Sequence, residues 1–373
     1  MNTPLIYLSP RWLPSGHLQT IVPAKLGRLP KVVFERERWD TPDGDFIDLD
    51  HLVAPSTISA AASAVLSGVG SSAATVLSGV THGPNGAAAP PTATPNAHAR
   101  NAHARDADTP PLLVLFHGLE GNSSSHYALT TMALTQARGW RGVVPHFRSC
   151  SGPMNLAPRF YHSGDSAEID WILRRLRERH HGKLFAAGVS LGGNALLRWL
   201  GERGSDALGI VDAAAAISAP MDIPAGGHAL SSGFNLVYAR SFLKTMKVKS
   251  LQKLAQFPGL FDREAMLSAR TLHEFDDIVT GPLHGFKNAD DYWQRASSIH
   301  LLTDIEVPTL VLNARNDPFL PAHALPTHAQ VSRMVELEQP ETGGHVGFMT
   351  GGFPGRLDWL GTRLLHFFDS YAQ

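Results

Sequence analysis

Gly188-Val189-Ser190-Leu191-Gly192 fits the pattern G-x-S-x-G, and Gly193 extends the run of small residues. At this Gly and Ser content, chance alone gives such a match in roughly one chain in four or five. The flanking sequence changes the odds. Apolar KLFAAGV (183–189) precedes the serine and amphipathic GGNALLRWLGERG follows it, so Ser190 stands on a strand-to-helix turn. A turn that sharp forces strained backbone at the serine and tolerates only small neighbours.

A serine hydroxyl attacks poorly until a base takes its proton, and the base needs a third group to orient it. Asp317, in ARNDPFLP, follows the apolar run PTLVLNA (308–314). His345, in TGGHVGF, follows RMVELE (333–338) and a short loop in which Gly343 and Gly344 give freedom to place the imidazole. Ser190, Asp317 and His345 keep the order Ser…Asp…His expected around a nucleophile elbow, with each acid or base just past a strand. Asp222 suits that order less well. The transition-state oxyanion needs two backbone N–H groups, assigned to Leu191 and to Leu119 after the strand LLVLF. His117, in the same loop, reads as a residue that shapes the loop.

The elements that must position these residues alternate. LLVLFHG (112–118), RGVVPHF (141–147), KLFAAGV and IVDAAAAIS (210–218) read as strands. HYALTTMALTQARG carries Leu129, Met132 and Ala133 at helical spacing. DSAEIDWILRRLRERH (165–180) carries Ile169, Ile172, Leu173 and Leu176, with Asp165 and Glu168 as a capping box. The last helix, RLDWLGTRLLHFFDS, buries Leu357, Leu360, Leu364, Leu365 and Phe368. This pattern predicts an α/β fold with a mostly parallel central sheet and helices on both faces.

The expected organisation is an N-terminal arm and β-hairpin (1–53), an insertion (54–108), a core in two parts (109–219 and 306–373) and a helical cap (220–305). Residues 1–30 read as an irregular arm, and KVVFERERW and DFIDLDHLV as the hairpin around Asp43-Gly44. No Asp, Glu, Lys or Arg occurs between Asp50 and Arg100, and VLSGV and NAHAR are each duplicated there. Such a segment cannot offset its ordering entropy and reads as a low-complexity expansion within a surface loop. In the cap, Phe234, Leu236, Tyr238, Phe242 and Leu243 are expected to line an apolar acyl pocket. His273, Asp276 and Asp277 read as a polar network within the cap rather than a metal site.

The chain has 373 residues, a hydrophobic content of 43%, a charged content of 17% and a formal net charge of -1, with no concentrated basic face for nucleic acid. One cysteine, Cys150, excludes an internal disulfide. No secretory signal and no run of about 18 apolar residues is evident, so a cytoplasmic protein is expected, with peripheral membrane contact left open.

HGLEGNSSSHY, HFRSCSG, YHSGD, GVSLGGN, EFDDIVTGPLHGF, DYWQRAS, NARNDPF and GGHVGF, with PRWLPSGHLQT near the start, resemble the YheT-like α/β-hydrolases. These include bacterial candidate esterases and related animal abhydrolase-domain lipases and phospholipases. The resemblance covers nearly the whole chain except the insertion. It implies the α/β-hydrolase fold with a helical cap, carboxylic-ester hydrolysis and Ser190, Asp317 and His345 as charge-relay residues. The apolar cap leads us to expect a small-molecule, uncharged ester as substrate, with no metal and no organic cofactor. Asn316 stands where a second acid is expected in many members. Two alternatives stay open: an acyltransferase using the same three residues, and a catalytically silent binding scaffold. Gly16-His17-Leu18-Gln19-Thr20 belongs to the signature but has no mechanism at this level, so it is expected only to pack on the sheet or cap.

Overall fold

In the computed structural model, residues 5–53, 106 and 108–372 are described; the insertion and its duplications lie almost wholly outside the described residues. The elements run in chain order α1 (Gly16–Leu26), β1 (Phe34–Asp40), β2 (Phe46–Leu52), β3 (Leu112–Phe116), α2 (His126–Ala137), β4 (Arg141–Pro145), α3 (Ser166–Arg179), β5 (Leu184–Val189), α4 (Leu191–Arg203) and β6 (Ala213–Ile217). Then come, between two strands of the sheet, the helices α5 (Ile223–Leu230), α6 (Leu236–Gln256), α7 (Arg263–Ser268), α8 (Leu272–Phe275) and α9 (Ala289–Ala296). The chain returns to the sheet with β7 (Thr309–Leu312) and β8 (Val335–Glu338) and ends in α10 (Asp358–Asp369).

One eight-stranded sheet runs in the order β1-β2-β4-β3-β5-β6-β7-β8. The β1–β2 hairpin joins antiparallel through β2 on β4, and every other pairing is parallel. The inner strands β3, β5 and β6 are buried along their whole length. Covered on both sides, they need apolar residues at every position rather than at alternate ones. Leu112, Val114 and Phe116 pack with Ile172 and Leu196 on one face, and Leu113 and Leu115 with Met132, Leu360 and Phe368 on the other. Strand order reverses between β3 and β5, so their C-terminal ends open a crevice where ligands bind in such sheets.

The structure corrects the reading at three places. The arm is not wholly irregular, because α1 lies inside it. Its amphipathic signal is faint because it buries Gln19, Thr20 and Pro23 instead of an apolar stripe. In α2 the buried side carries Ala128, Thr131, Met132 and Thr135, leaving Leu129 and Ala133 half-buried. A threonine can be buried there because its hydroxyl donates to a carbonyl one turn back, as Thr135 does to Thr131 at 2.9 Å. Asp165 caps α3 without a side-chain hydrogen bond, so no capping box forms. Both acids are taken by arginines: Arg159 reaches Asp165 at 2.5 Å and Arg148 reaches Glu168 at 2.7 Å. Arg148, of HFRSCSG, also pairs with Asp45 at 2.7 Å, tying the hairpin turn to α3.

Candidate active site

Ser190 sits between β5 and α4 with φ 53° and ψ −121°. A non-glycine residue at positive φ is uncommon and persists only where surroundings impose it. Here the close approach of backbones imposes it. A Cβ on Gly192 would lie 2.5 Å from the carbonyl oxygen of His117. The glycine therefore lets α4 start directly against the end of β3. Asn194, buried one turn into α4, donates to the carbonyls of Ser163 and Ala296 at 2.8 Å each and accepts from Ser298 N–H at 3.0 Å. It ties the turn to the YHSGD and DYWQRAS segments.

The structure brings the three sequence-predicted side chains together. His345 Nε2 lies 2.9 Å from Ser190 Oγ, and His345 Nδ1 lies 2.8 Å from Asp317 Oδ2. A carboxylate only accepts, so Nδ1 carries the proton and Nε2 offers its lone pair to the serine hydroxyl. The Asp317 side chain is fully buried, and its Oδ1 accepts from Phe319 N–H at 2.8 Å. Phe319 also stacks on the imidazole, with ring centroids 4.0 Å apart and planes at 21°. Asp222, weighed as another acid, instead caps α5 by accepting from Ala225 N–H at 3.0 Å.

Facing Ser190 is the loop after β3. His117 accepts from Phe147 N–H at Nε2 (3.0 Å), so its protonated Nδ1 donates to the Gly118 carbonyl at 2.8 Å. Complete burial pushes its pKa down to about 3, which keeps it neutral and suits a residue that shapes the loop. Gly118 N–H goes to Tyr127 Oη at 2.9 Å and Glu120 N–H to Tyr161 Oη at 2.8 Å. Between these occupied amides stands Leu119, on the wall of the same cavity as Ser190, Leu191 and His345. Leu191 opens α4, where the first amide has no partner inside the helix.

That cavity has a volume of about 120 Å3 and runs from Ser190 under α5, α6 and α9. Its apolar wall includes Ile223, Leu230, Phe242, Met246, Leu272 and Trp293. Of the five cap residues expected there, only Phe242 takes part. Phe234 is exposed, and Tyr238 packs on Phe319 and His17. Spacing on a helix indicates a shared face, but only the neighbouring helices decide which face looks inward. Asp276 lies on the cavity wall, accepts from Trp293 Nε1 at 2.8 Å and has its pKa raised to about 6 by burial. His273 pairs with Asp290 and Asp277 accepts from Ala289 N–H, so the three groups face different partners. Among the described residues no His, Cys, Asp or Glu cluster is arranged to hold a metal. Cys150 is buried, with its thiol pushed up to about 11 by desolvation.

Sequence reasoning missed what the GHLQT segment does. Gln19 Oε1 accepts from Gly343 N–H at 2.8 Å and Asn316 Nδ2 at 3.0 Å, while its Nε2 donates to Leu13 carbonyl at 2.7 Å. Thr20 Oγ1 accepts from the backbone N–H of His345 itself at 2.8 Å. Asn316 closes the ring by accepting from Gly344 N–H at 3.0 Å. Any Cβ on Gly347 would collide with the Gln19 carbonyl. The segment therefore clamps the Asp317 and His345 loops together. The clue was the pairing of a signature Gln with an Asn beside Asp317; nothing in spacing could show that they meet.

Gln19→Leu should leave the Gly343 N–H and Asn316 amide without their acceptor, at a stability cost of about 1–3 kcal/mol. If the site is catalytic, kcat should fall about tenfold or more with a smaller change in KM, because the imidazole is misplaced rather than removed. Thermal melts and Michaelis curves read both. A lower Tm with unchanged kcat would reduce Gln19 to a packing residue.

The comparisons with known proteins agree with this architecture. The alpha/beta hydrolase fold family model matches residues 111–352. YheT of Escherichia coli, whose name marks it as a candidate esterase, is 34% identical over 370 residues, covering 98% of this chain and 94% of that one. Mouse phospholipase ABHD3 is 32% identical over 258 residues, or 68% of this chain and 62% of that protein. The monoacylglycerol lipase of Saccharomyces cerevisiae is 27% identical over 251 residues, 65% of this chain and 55% of that protein. The chain thus spans less than two thirds of the mouse and yeast relatives. In fold, it superimposes on alpha/beta hydrolase domain-containing protein 10 from mouse with a TM-score of 0.50 at 10% identity, covering 90% of this chain and 99% of that one. With a sheet, an elbow and matches of this extent, the chain belongs to the α/β-hydrolase fold family, among its YheT-like members.

Proposed function

We propose that this protein is a serine hydrolase that cleaves uncharged carboxylic esters through an acyl-enzyme. The observation that carries the reading is the unbroken relay from Ser190 through His345 to Asp317 at the mouth of an apolar cavity. The esterase, phospholipase and lipase names of the relatives support the same class.

The steps follow from the geometry. His345 Nε2 takes the hydroxyl proton as Ser190 Oγ bonds to the ester carbonyl carbon. The carbonyl oxygen becomes an oxyanion received by the amides of Leu119 and Leu191. His345 then gives its proton to the alkoxy oxygen, the C–O bond breaks, and the alcohol leaves. Water repeats the cycle: His345 takes its proton, the hydroxide adds to the acyl carbon, and Ser190 leaves reprotonated with the acid released. Asp317 stays ionised and steadies the imidazolium. The apolar wall around Phe242, Met246 and Leu272 suits a short-to-medium acyl chain, and exclusion of water there strengthens the oxyanion contacts.

These residues supply nucleophile, base and oxyanion donors without a metal or organic cofactor. No helix among the described residues is long and apolar enough to cross a membrane. A cytoplasmic setting remains our reading, with the lone buried thiol as its support. The test is a chain-length series of p-nitrophenyl esters with a chelator present. Rates should peak at short-to-medium chains and be unaffected by the chelator. Flat background rates together with no labelling by a fluorophosphonate would favour a silent scaffold. Labelling with slow hydrolysis that speeds up on adding an alcohol would favour acyl transfer.

A further inference from the structure

EFDDIVTGPLHGF, one of the segments that carry the family resemblance, has no part in the relay. Within it Asp276–Thr280 forms one turn of π-helix directly after α8. Such turns are rare and are found frequently at functional sites. Both ends of this turn, Asp276 and Thr280, are buried and stand on the wall of the cavity that holds Ser190. The backbone of Asp276 is taken up within the chain. Its N–H donates to the Leu272 and His273 carbonyls, and its carbonyl accepts from Gly281 N–H. What Asp276 offers the cavity is therefore its carboxyl. Trp293, on the same wall, donates to Oδ2 at 2.8 Å, and the Thr280 hydroxyl is a second partner. Two carboxylate oxygens accept about four hydrogen bonds, so accepting capacity remains.

Among the described residues Asp276 is the one acid on that wall, and no lysine or arginine stands there. His273, whose charge reaches it, pairs with Asp290 instead. A carboxyl in a mostly apolar cavity without a countercharge costs stability, and its place there is explained by a ligand that it meets. Burial pushes it up to about 6, so both its ionised and its protonated form occur in the range around neutral pH. A hydroxyl suits either form, donating to the carboxylate or accepting from the acid. An ammonium can only donate, and it loses far more hydration on entering an apolar cavity. An anion is repelled. In the esterase reading the acyl chain runs from Ser190 along Phe242, Met246 and Leu272, so it is the part of the substrate that shares a cavity with Asp276. We propose that Asp276 selects acyl chains that carry a hydroxyl group, so that the preferred substrates are esters of hydroxy acids.

This rests on the esterase reading for its meaning but is tested apart from it. Methoxyhexane, its derivatives with one hydroxyl at successive chain carbons, and the matching amines cannot be hydrolysed. Calorimetry with the unaltered protein should find a chain position at which the hydroxyl compound binds about tenfold tighter than methoxyhexane, the worth of a hydrogen bond to a charged group. At that position it should also bind more tightly than the amine. Asp276→Leu should erase the preference. Asp276→Asn keeps an acceptor for Trp293, so it keeps the experiment decisive if Asp276→Leu does not fold, and it should cut the preference to about threefold. No preferred position, a tighter amine, or a preference unchanged by either substitution overturns the proposal. Turnover of p-nitrophenyl hexanoate by the unaltered protein separates the two ideas. No turnover with an intact preference sinks the esterase reading alone, whereas turnover without any preference sinks only the hydroxyl site.

Discussion

Ser190→Ala should lower ester hydrolysis by about 10³-fold or more while leaving the melting temperature nearly unchanged. The change removes one hydroxyl, and the hydrogen bond lost is the one to His345 Nε2. The β5–α4 turn depends on the glycines around it, and alanine pays no more than serine for the positive φ. Because the oxyanion amides and cavity remain, substrate affinity should persist in the inactive protein. Initial rates on a p-nitrophenyl ester, with a melt on the same sample, are sufficient. More than about a tenth of the activity surviving would remove Ser190 as the nucleophile.

Asp317→Asn should be comparably severe, with kcat down by about 10⁴-fold in a relay of this kind. The side chain keeps its size but no longer accepts at both oxygens. Oδ1 is held as an acceptor by Phe319 N–H, so the amide NH2 must face His345. An NH2 there donates to Nδ1, which forces the ring proton onto Nε2 and leaves no lone pair for the serine. The loss should appear in kcat with KM little changed, and fluorophosphonate labelling should slow in parallel. Activity within about tenfold of the unaltered protein would mean that Asp317 only shapes its loop.

The catalytic candidates were legible because elbow chemistry leaves local marks. Gly188 answers a backbone approach within its own turn, where a Cβ would collide with the Gly192 carbonyl oxygen, so spacing records it, whereas Gly192 answers the end of β3. Asp317 and His345 could be picked out because each follows a strand and their order along the chain is restricted. The parallel sheet was legible for a similar reason, since strands covered on both faces must be apolar throughout. The cavity wall was less so: a helix such as α6 repeats every few residues, and several of its faces carry apolar side chains.

What the sequence by itself determined was the fold class, the sheet-forming segments and the three candidate side chains that the structure brings into hydrogen-bond contact, all properties carried by short stretches. Tertiary structure decided the rest. It set Gln19 and Thr20, more than three hundred residues away in sequence, against the backbone of Gly343 and His345. It turned the acids of α3 from helix caps into partners of buried arginines. It chose Phe242 over Phe234 for the cavity and paired Glu120 with Lys249. The physical reason is common to all of these. A hydrogen bond or ion pair between distant segments depends on where packing brings them. Polar residues, unlike an apolar run, carry no period that announces the partner they will meet.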